Sequence, residues 1–373
     1  MATLALIVLG VVVVYSSVAG LNEPGNWYSR KEVRQAIYAA CAMLVLAIFW
    51  RIDYRILAAG RRFPTVAGVL LGVSLALGLL VFVPGIGKEV GGYYRWIRLG
   101  PARYGMQFQP SEIIKILLVV FLSAWLTRPN CEVTSFRKTF LPAMLLIGLC
   151  LALVIKEDFG TSVVIGLGAT ATLFLAGVPV TQLLALVPLG GAAIYFLVIK
   201  NEYRYARITA FMDPWSTTNP TSYQPMQSLL SILSGGMTGK GLGNGTLKLG
   251  YLPEGETDFV FSVFCEEWGM VGAALLMGML ILWMWHARKA AIQSDDRFGK
   301  VLAGSLGFVV ATQAILHIAV NLVAIPTTGV ALPFISVGGT SLLIVATAVA
   351  IMISVSAHRW KNPPELIGWA DRS

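Results

Sequence analysis

The chain has 373 residues, 56% of them hydrophobic and only 13% charged, with a formal net charge of +9. A soluble protein of this size keeps about a quarter of its residues charged, so the composition excludes an ordinary globular enzyme or binding module. What remains is a chain built for lipid.

Ten apolar blocks run near 3–20, 36–50, 66–83, 111–127, 140–155, 160–176, 181–199, 259–286, 301–325 and 333–357. A helix needs roughly 20 largely apolar residues to cross a bilayer, and the blocks at 36–50, 140–155 and 160–176 need flanking residues to reach that length. A transmembrane barrel would show segments of about 10 residues with alternating polarity, and no such alternation is present. The expected fold is all-α: a polytopic membrane bundle of about ten helices, forming one domain over 1–373 with a large extracytoplasmic loop at about 200–258.

The first block, Leu4 to Ala19, follows no basic residue and lacks a small-residue cleavage site, so it is expected to stay as a helix. Ten spans place both termini on one side. With the long loop 200–258 set aside, Lys and Arg favour that side by 14 to 8, which predicts cytoplasmic termini by the positive-inside rule. None of Cys41, Cys131, Cys150 and Cys265 suggests a disulfide framework or zinc spacing.

On the third block, Gly68 and Gly72 form a small-xxx-small pair that predicts close helix packing. The loop after it carries Lys88, Arg95, Arg98 and Arg103. Such charges are either solvated next to lipid phosphate or placed to hold an anionic ligand, for which arginine is well suited. Pro110, Ser111 and Glu112 make a helix start with its acid near the positive end of the dipole. Lys115 lies three residues on, on the same face as Glu112 and deeper in the span. The pair reads equally as a structural ion pair and as part of a site. Glu157 and Asp158 stand at the junction of the fifth and sixth blocks, where helix capping is the expected role.

The 200–258 loop mixes charges with aromatics, among them Tyr203, Trp215, Tyr223 and Tyr251, and becomes glycine-rich from Gly235 to Gly245. Its Gly239-Lys240-Gly241 lacks the Ser or Thr and the spaced Gly of a phosphate loop, so turn formation is expected. Asp258, directly before the eighth block, reads either as a first-turn acid or as a carboxylate placed to meet a lipid-linked head group. Glu266 and Glu267 lie two turns into the same block, where Lys115 or an arginine is a candidate partner for one of them but sequence does not settle it. Gln313, His317 and Asn321 form one polar stripe, expected to bond between helices.

Four segments together resemble the SEDS family (FtsW, RodA and SpoVE) over nearly the whole chain. They are Arg95-Trp96-Ile97-Arg98-Leu99-Gly100 with Gln109-Pro110-Ser111-Glu112 and Lys115; Asp158-Phe159-Gly160-Thr161; Asp213-Pro214-Trp215 through Leu252-Pro253-Glu254 to Thr257-Asp258-Phe259; and Thr328-Gly329-Val330 through Leu332-Pro333-Phe334-Ile335-Ser336 to Gly338-Gly339-Thr340-Ser341. The chain departs from the family pattern at Gly255-Glu256, where a basic residue or His is usual, and at Val337, where Tyr is usual. Val83-Pro84-Gly85-Ile86-Gly87 and Asp213-Pro214-Trp215 resemble the division branch, FtsW.

The resemblance implies a peptidoglycan glycosyltransferase of the bacterial cytoplasmic membrane, serving division or cell shape. Its substrate would be lipid II and its partner a class B penicillin-binding protein acting as transpeptidase, among membrane lipids and with no nucleic acid. Asp258 matches the family's essential acid, Glu112 and Lys115 its polar pair in the fourth span, and Arg95 and Arg98 its outer-loop motif. Growth of a glycan needs a sugar hydroxyl to attack an anomeric carbon. A carboxylate that takes the hydroxyl proton contributes about 100- to 10,000-fold, and fixed cations stabilise the departing pyrophosphate. Asp258 is therefore expected as catalytic base, and Arg95, Arg98, Lys115 and Glu112 as the substrate-binding set. No cofactor site is read, although a divalent cation (Mg or Mn) could share the pyrophosphate. The alternatives are a lipid II flippase and a non-catalytic division scaffold.

Overall fold

A computed structural model describes residues 1–18, 30–60, 65–90, 92–98, 107–216, 219–246 and 252–358. Arg103, the Leu99-Gly100 end of the first motif, Tyr251 and the basic residues Arg359, Lys361 and Arg372 lie outside the described residues. The chain is helical, and the helices follow the apolar blocks. α1 (Ala2–Val18), α2 (Lys31–Phe49), α3 (Val66–Leu80), α4 (Pro110–Leu126), α5 (Leu141–Val154) and α6 (Phe159–Leu175) come first. The seventh block is divided into α7 (Val180–Leu184), α8 (Leu186–Ile194) and a π-helical turn, Tyr195–Ile199. The last three blocks form α11 (Val260–Ile292), α12 (Arg297–Asn321) and α13 (Gly339–Ala357). Six helical stretches, including the π-extended Phe136–Val154 and Val180–Ile199, are long and apolar enough to cross a membrane. Shorter apolar helices accompany them. The chain is a multi-pass membrane protein.

Two connecting segments carry structure that hydropathy does not announce. The loop after α3 forms an antiparallel sheet in the order β1 (Gly87–Val90), β2 (Tyr93–Arg98), β3 (Gln107–Phe108). The 200–258 segment contains α9 (Glu202–Met212) and α10 (Tyr223–Gly235), so Tyr203 and Tyr223 belong to helices.

The chain divides into two compact units, each built from separated segments. One comprises Met1–Ala39, Leu184–Trp283 and Gln313–Gly338; the other comprises Ala40–Leu183, Met284–Thr312 and Gly339–Ser373. In the second unit α3 packs on α4, and α4 on α6, around Leu118, Val119, Val120 and Leu122, all fully buried. The expected glycine pair is only half used. A Cβ on Gly68 would sit 3.4 Å from the Phe121 ring of α4, whereas one on Gly72 would meet nothing within 4 Å. The close approach lies further along, where a Cβ on Gly78 would come within 3.1 Å of Ile114.

In the first unit α11 is not continuous. Gly269 has φ 65° and ψ −168°, which breaks the helix within its first third. A break strands carbonyls before it and N–H groups after it, a serious cost inside a bilayer. The glycine-rich segment after α10 takes them up. The N–H groups of Lys240 and Gly241 donate to the carbonyls of Glu266 and Glu267, both at 3.0 Å. Those of Met270 and Val271 donate to Gly236 and Met237, at 2.9 and 3.1 Å. Only glycine permits this approach, since a Cβ on Gly239 would lie 2.2 Å from the Glu267 carbonyl oxygen.

Candidate functional site

Candidate residues fall in both units. In the second unit, Pro110 starts α4 and places Glu112 and Lys115 on one buried face. Lys115 Nζ lies 2.9 Å from Glu112 Oε2, with side chains 2% and 7% exposed. Both the pairing and the depth of Lys115 match the sequence reading. Arg95 and Arg98 are on β2. Arg95 is half-buried, its guanidinium 4.8 Å from the centre of the Tyr93 ring, while Arg98 is exposed. Arg95 Nε is buried and has no hydrogen-bond partner.

Asp158 caps α6 as expected. Its carboxylate accepts from the Thr161 N–H at 2.9 Å and the Thr161 hydroxyl at 2.7 Å. It also accepts from the Gln109 side chain, at 2.8 Å, just before α4. Glu157 does something else: it accepts from the Tyr94 N–H at 2.7 Å and so ties β2 to the start of α6. Arg95, Tyr94, Ser111, Glu157 and Asp158 line one small cavity with Gly78 and Ile114. The β2 motif with the α4 start, one segment in sequence, and the α6 cap, another, are one constellation.

In the first unit, Asp258 sits half-buried at the start of α11. Its neighbours Leu252, Phe259 and Val263 pack with Val320 of α12 in a buried apolar cluster. The segment joining α12 to α13 covers it. Ser336 Oγ donates to the Thr257 carbonyl at 2.7 Å, and the Val337 N–H donates to the Glu256 carbonyl at 3.0 Å. Glu256 and Val337, both departures from the family pattern, thus meet each other, and Glu256 also pairs with Lys31. A Cβ on Gly329 would lie 3.5 Å from Asp258 Oδ2, so this backbone passes directly beside the carboxylate. Thr328 Oγ1, next to it, is buried with no hydrogen-bond partner.

Backbone conformation marks the same place. Glu254, Val323 and Phe334 are the non-glycine residues with positive φ among the described residues, at 56°, 52° and 71°. All three belong to the two segments that meet around Asp258. Such conformations are costly, most of all for a β-branched residue, and they gather at functional sites.

The polar stripe of α12 joins helices through Asn321, which bonds to Ser262 of α11, whereas its other two members turn to the covering segment. Gln313 Nε2 donates to the Ala331 carbonyl at 3.0 Å, and His317 Nδ1 lies 2.7 Å from the Val330 carbonyl. Both partners are main-chain groups of the covering segment, which hydropathy could not name. Glu266 pairs with Lys240 at 2.6 Å. The nearby glycines made this lysine look like part of a turn. Among the described residues no group of three or more His, Cys, Asp or Glu side chains is placed to hold a metal ion.

The sequence profile of the FtsW/RodA/SpoVE cell cycle proteins matches residues 1–361. A relative from Geobacter sulfurreducens, named as a probable peptidoglycan glycosyltransferase FtsW, is 37% identical over 364 residues, covering 96% of this chain and 94% of its own. Among solved structures, a chain from work on the structural coordination of polymerization and crosslinking by a peptidoglycan synthase complex superposes with a TM-score of 0.76. It is 25% identical, with 97% of both chains covered. The rod shape determining protein RodA of Thermus thermophilus superposes with a TM-score of 0.67, again at 25% identity, over 97% of this chain and 96% of its own.

Proposed function

The chain belongs to the FtsW/RodA/SpoVE family of cell cycle proteins, and on that premise we propose that it polymerises lipid II with Asp258 as the proton acceptor. It is a peptidoglycan glycosyltransferase of the membrane. The observation that carries the residue assignment is the setting of Asp258, whose carboxylate is half-buried beside the Gly329 backbone in a segment of strained conformation.

The hydroxyl of one sugar attacks the anomeric carbon of another, which carries undecaprenyl pyrophosphate. Asp258 takes the hydroxyl proton as the new C–O bond forms, and the pyrophosphate leaves with the electron pair of the broken bond. Arg95 and Arg98 are assigned to the pyrophosphate, the first held against Tyr93 and the second exposed on the same strand. Lys115, buried and already paired with Glu112, would act on the substrate as part of that pair. A divalent cation, Mg or Mn, would add charge stabilisation at the pyrophosphate. The partner assigned is a class B penicillin-binding protein. Both termini are assigned to the cytoplasm and the 200–258 segment to the outer face, on the balance of basic residues.

One observation favours a transporter instead: broken helices are frequent in transporters, and α11 is broken. Here, however, the groups exposed by the break bond to the protein's own glycine-rich segment, which leaves them no role in holding cargo. The deciding experiment gives purified protein lipid II in detergent and in vesicles. Glycan strands support the polymerase, and leaflet movement without product supports the flippase.

A further inference from the structure

We propose that Asn321, at the end of α12, is a positioning residue for Asp258. The proposal rests on the reading of Asp258 as the proton acceptor. Asn321 is fully buried, and its amide is fully engaged. Nδ2 donates to the main-chain carbonyl of Asp258 at 3.0 Å and to that of His317 at 2.8 Å. Oδ1 accepts from the Ser262 N–H at 3.0 Å and the Ser262 hydroxyl at 2.8 Å. Ser262 is in the first turn of α11, so a single side chain caps that turn and grips the residue in front of it.

This geometry fixes more than a helix end. The Asp258 carbonyl belongs to the residue whose carboxylate does the chemistry, and Ser336 and Val337 hold the two preceding carbonyls from the other direction. Three consecutive carbonyls are therefore held by donors outside their own segment, which sets the main-chain direction from which the carboxylate projects. A reacting group displaced by about 1 Å can lose about 100-fold in rate. A buried polar network that is fully satisfied also rigidifies its surroundings.

The plain alternative is helix glue. Ser228 serves as its control, because its hydroxyl donates to the Asn321 carbonyl at 2.7 Å and meets the Ser262 hydroxyl at 2.6 Å without touching Asp258. Asn321→Asp keeps the acceptor for Ser262 and removes the donor to Asp258. Asn321→Ser is the second variant, smaller and unable to span both partners, and is used if the first does not fold. Steady-state lipid II polymerisation is measured for these, for Ser228→Ala and for Asp258→Asn, with thermal unfolding of each. The expected result is kcat at least about tenfold lower in the Asn321 variants, with KM within about twofold. The acidic limb of the pH profile should stay in place for Asn321→Ser, which adds no charge near the carboxylate, and Ser228→Ala should keep its kcat. The proposal is overturned if the folded Asn321 variants turn over within threefold of wild type while Asp258→Asn is inactive, or if Ser228→Ala loses kcat equally. An active Asp258→Asn would instead overturn the assignment of the base.

Discussion

Lys240 Nζ lies 2.6 Å from Oε1 of Glu266, a carboxylate with no solvent exposure. The same oxygen accepts from the N–H and the hydroxyl of Thr246, at 2.9 and 3.0 Å. Its neighbour Glu267 accepts from the hydroxyl of Ser16 on α1, which in turn accepts from the Gly243 N–H at 2.8 Å. Both acids immediately precede the break in α11. They fasten the glycine-rich segment there and so complete its main-chain pairing.

Removing one partner of a buried ion pair costs about 3–5 kcal/mol. The Lys240 side chain is 31% exposed, which brings the expected loss for Lys240→Met down to about 1–2 kcal/mol. Adding Glu266→Gln removes the uncompensated charge and should restore part of that loss. Thermal unfolding in one detergent checks both variants.

Two glycines should respond to alanine in opposite directions. At Gly239 the backbone has φ 80° and a Cβ would collide with Glu267, so Gly239→Ala is expected to destabilise by more than about 3 kcal/mol. Gly72 lies inside α3 with nothing near its missing Cβ, so Gly72→Ala should stabilise by about 0.5–1 kcal/mol. Melting temperatures of the two variants moving in the same direction would contradict the packing described.

Asp258→Asn keeps size and removes the basic oxygen. A helix-start charge is worth only about 0.3–1 kcal/mol, whereas loss of a general base lowers the rate by about 100-fold or more. The expected protein is folded and makes almost no glycan. Polymerisation within a few-fold of wild type would reduce Asp258 to a helix-start residue.

Lys115→Met should cost about 3–5 kcal/mol by leaving Glu112 buried and unpaired. The double variant Glu112→Gln/Lys115→Met should recover most of that stability but use lipid II less well, as should Arg95→Ala and Arg98→Ala with little change in folding. Normal polymerisation by the folded double variant would make the pair purely structural.

Reporters fused within 219–222 and within 288–300 should report opposite sides, the first external and the second cytoplasmic. Matching sidedness would refute the ten-span arrangement.

The helices were legible because lipid imposes a length and an apolar composition on a crossing segment, and six helical stretches carry both. The pairing of Glu112 with Lys115 was legible for a similar reason, since three residues on a helix is a fixed geometry. The setting of Asp258 was not. Its covering partners come from Leu332 to Val337, more than 70 positions away, and apart from the Ser336 hydroxyl they act through main-chain groups that carry no residue signature. The small sheet at Gly87–Phe108 escaped notice because strands of two to six residues leave little alternation to read. The break at Gly269 was hidden by an apolar run that continues straight through it. Its one sequence signal was the cluster of glycines some thirty positions earlier, which read as turns because each glycine alone makes a turn.

Those glycines are synthesised before the helix that needs them. When residues 266–271 leave the ribosome, the 236–246 segment is already outside it, and the nascent span has two ways to satisfy its amides. It can continue as a straight helix, or it can open at Gly269 and bond to the waiting segment. The first route closes within one stretch of chain, while the second depends on a segment that has already passed. The native pairing at residues 266–271 thus requires the earlier 236–246 segment. A Gly269→Ala chain, biased toward the straight route, would carry Lys240 and its loop through biogenesis with no receptor to dock on.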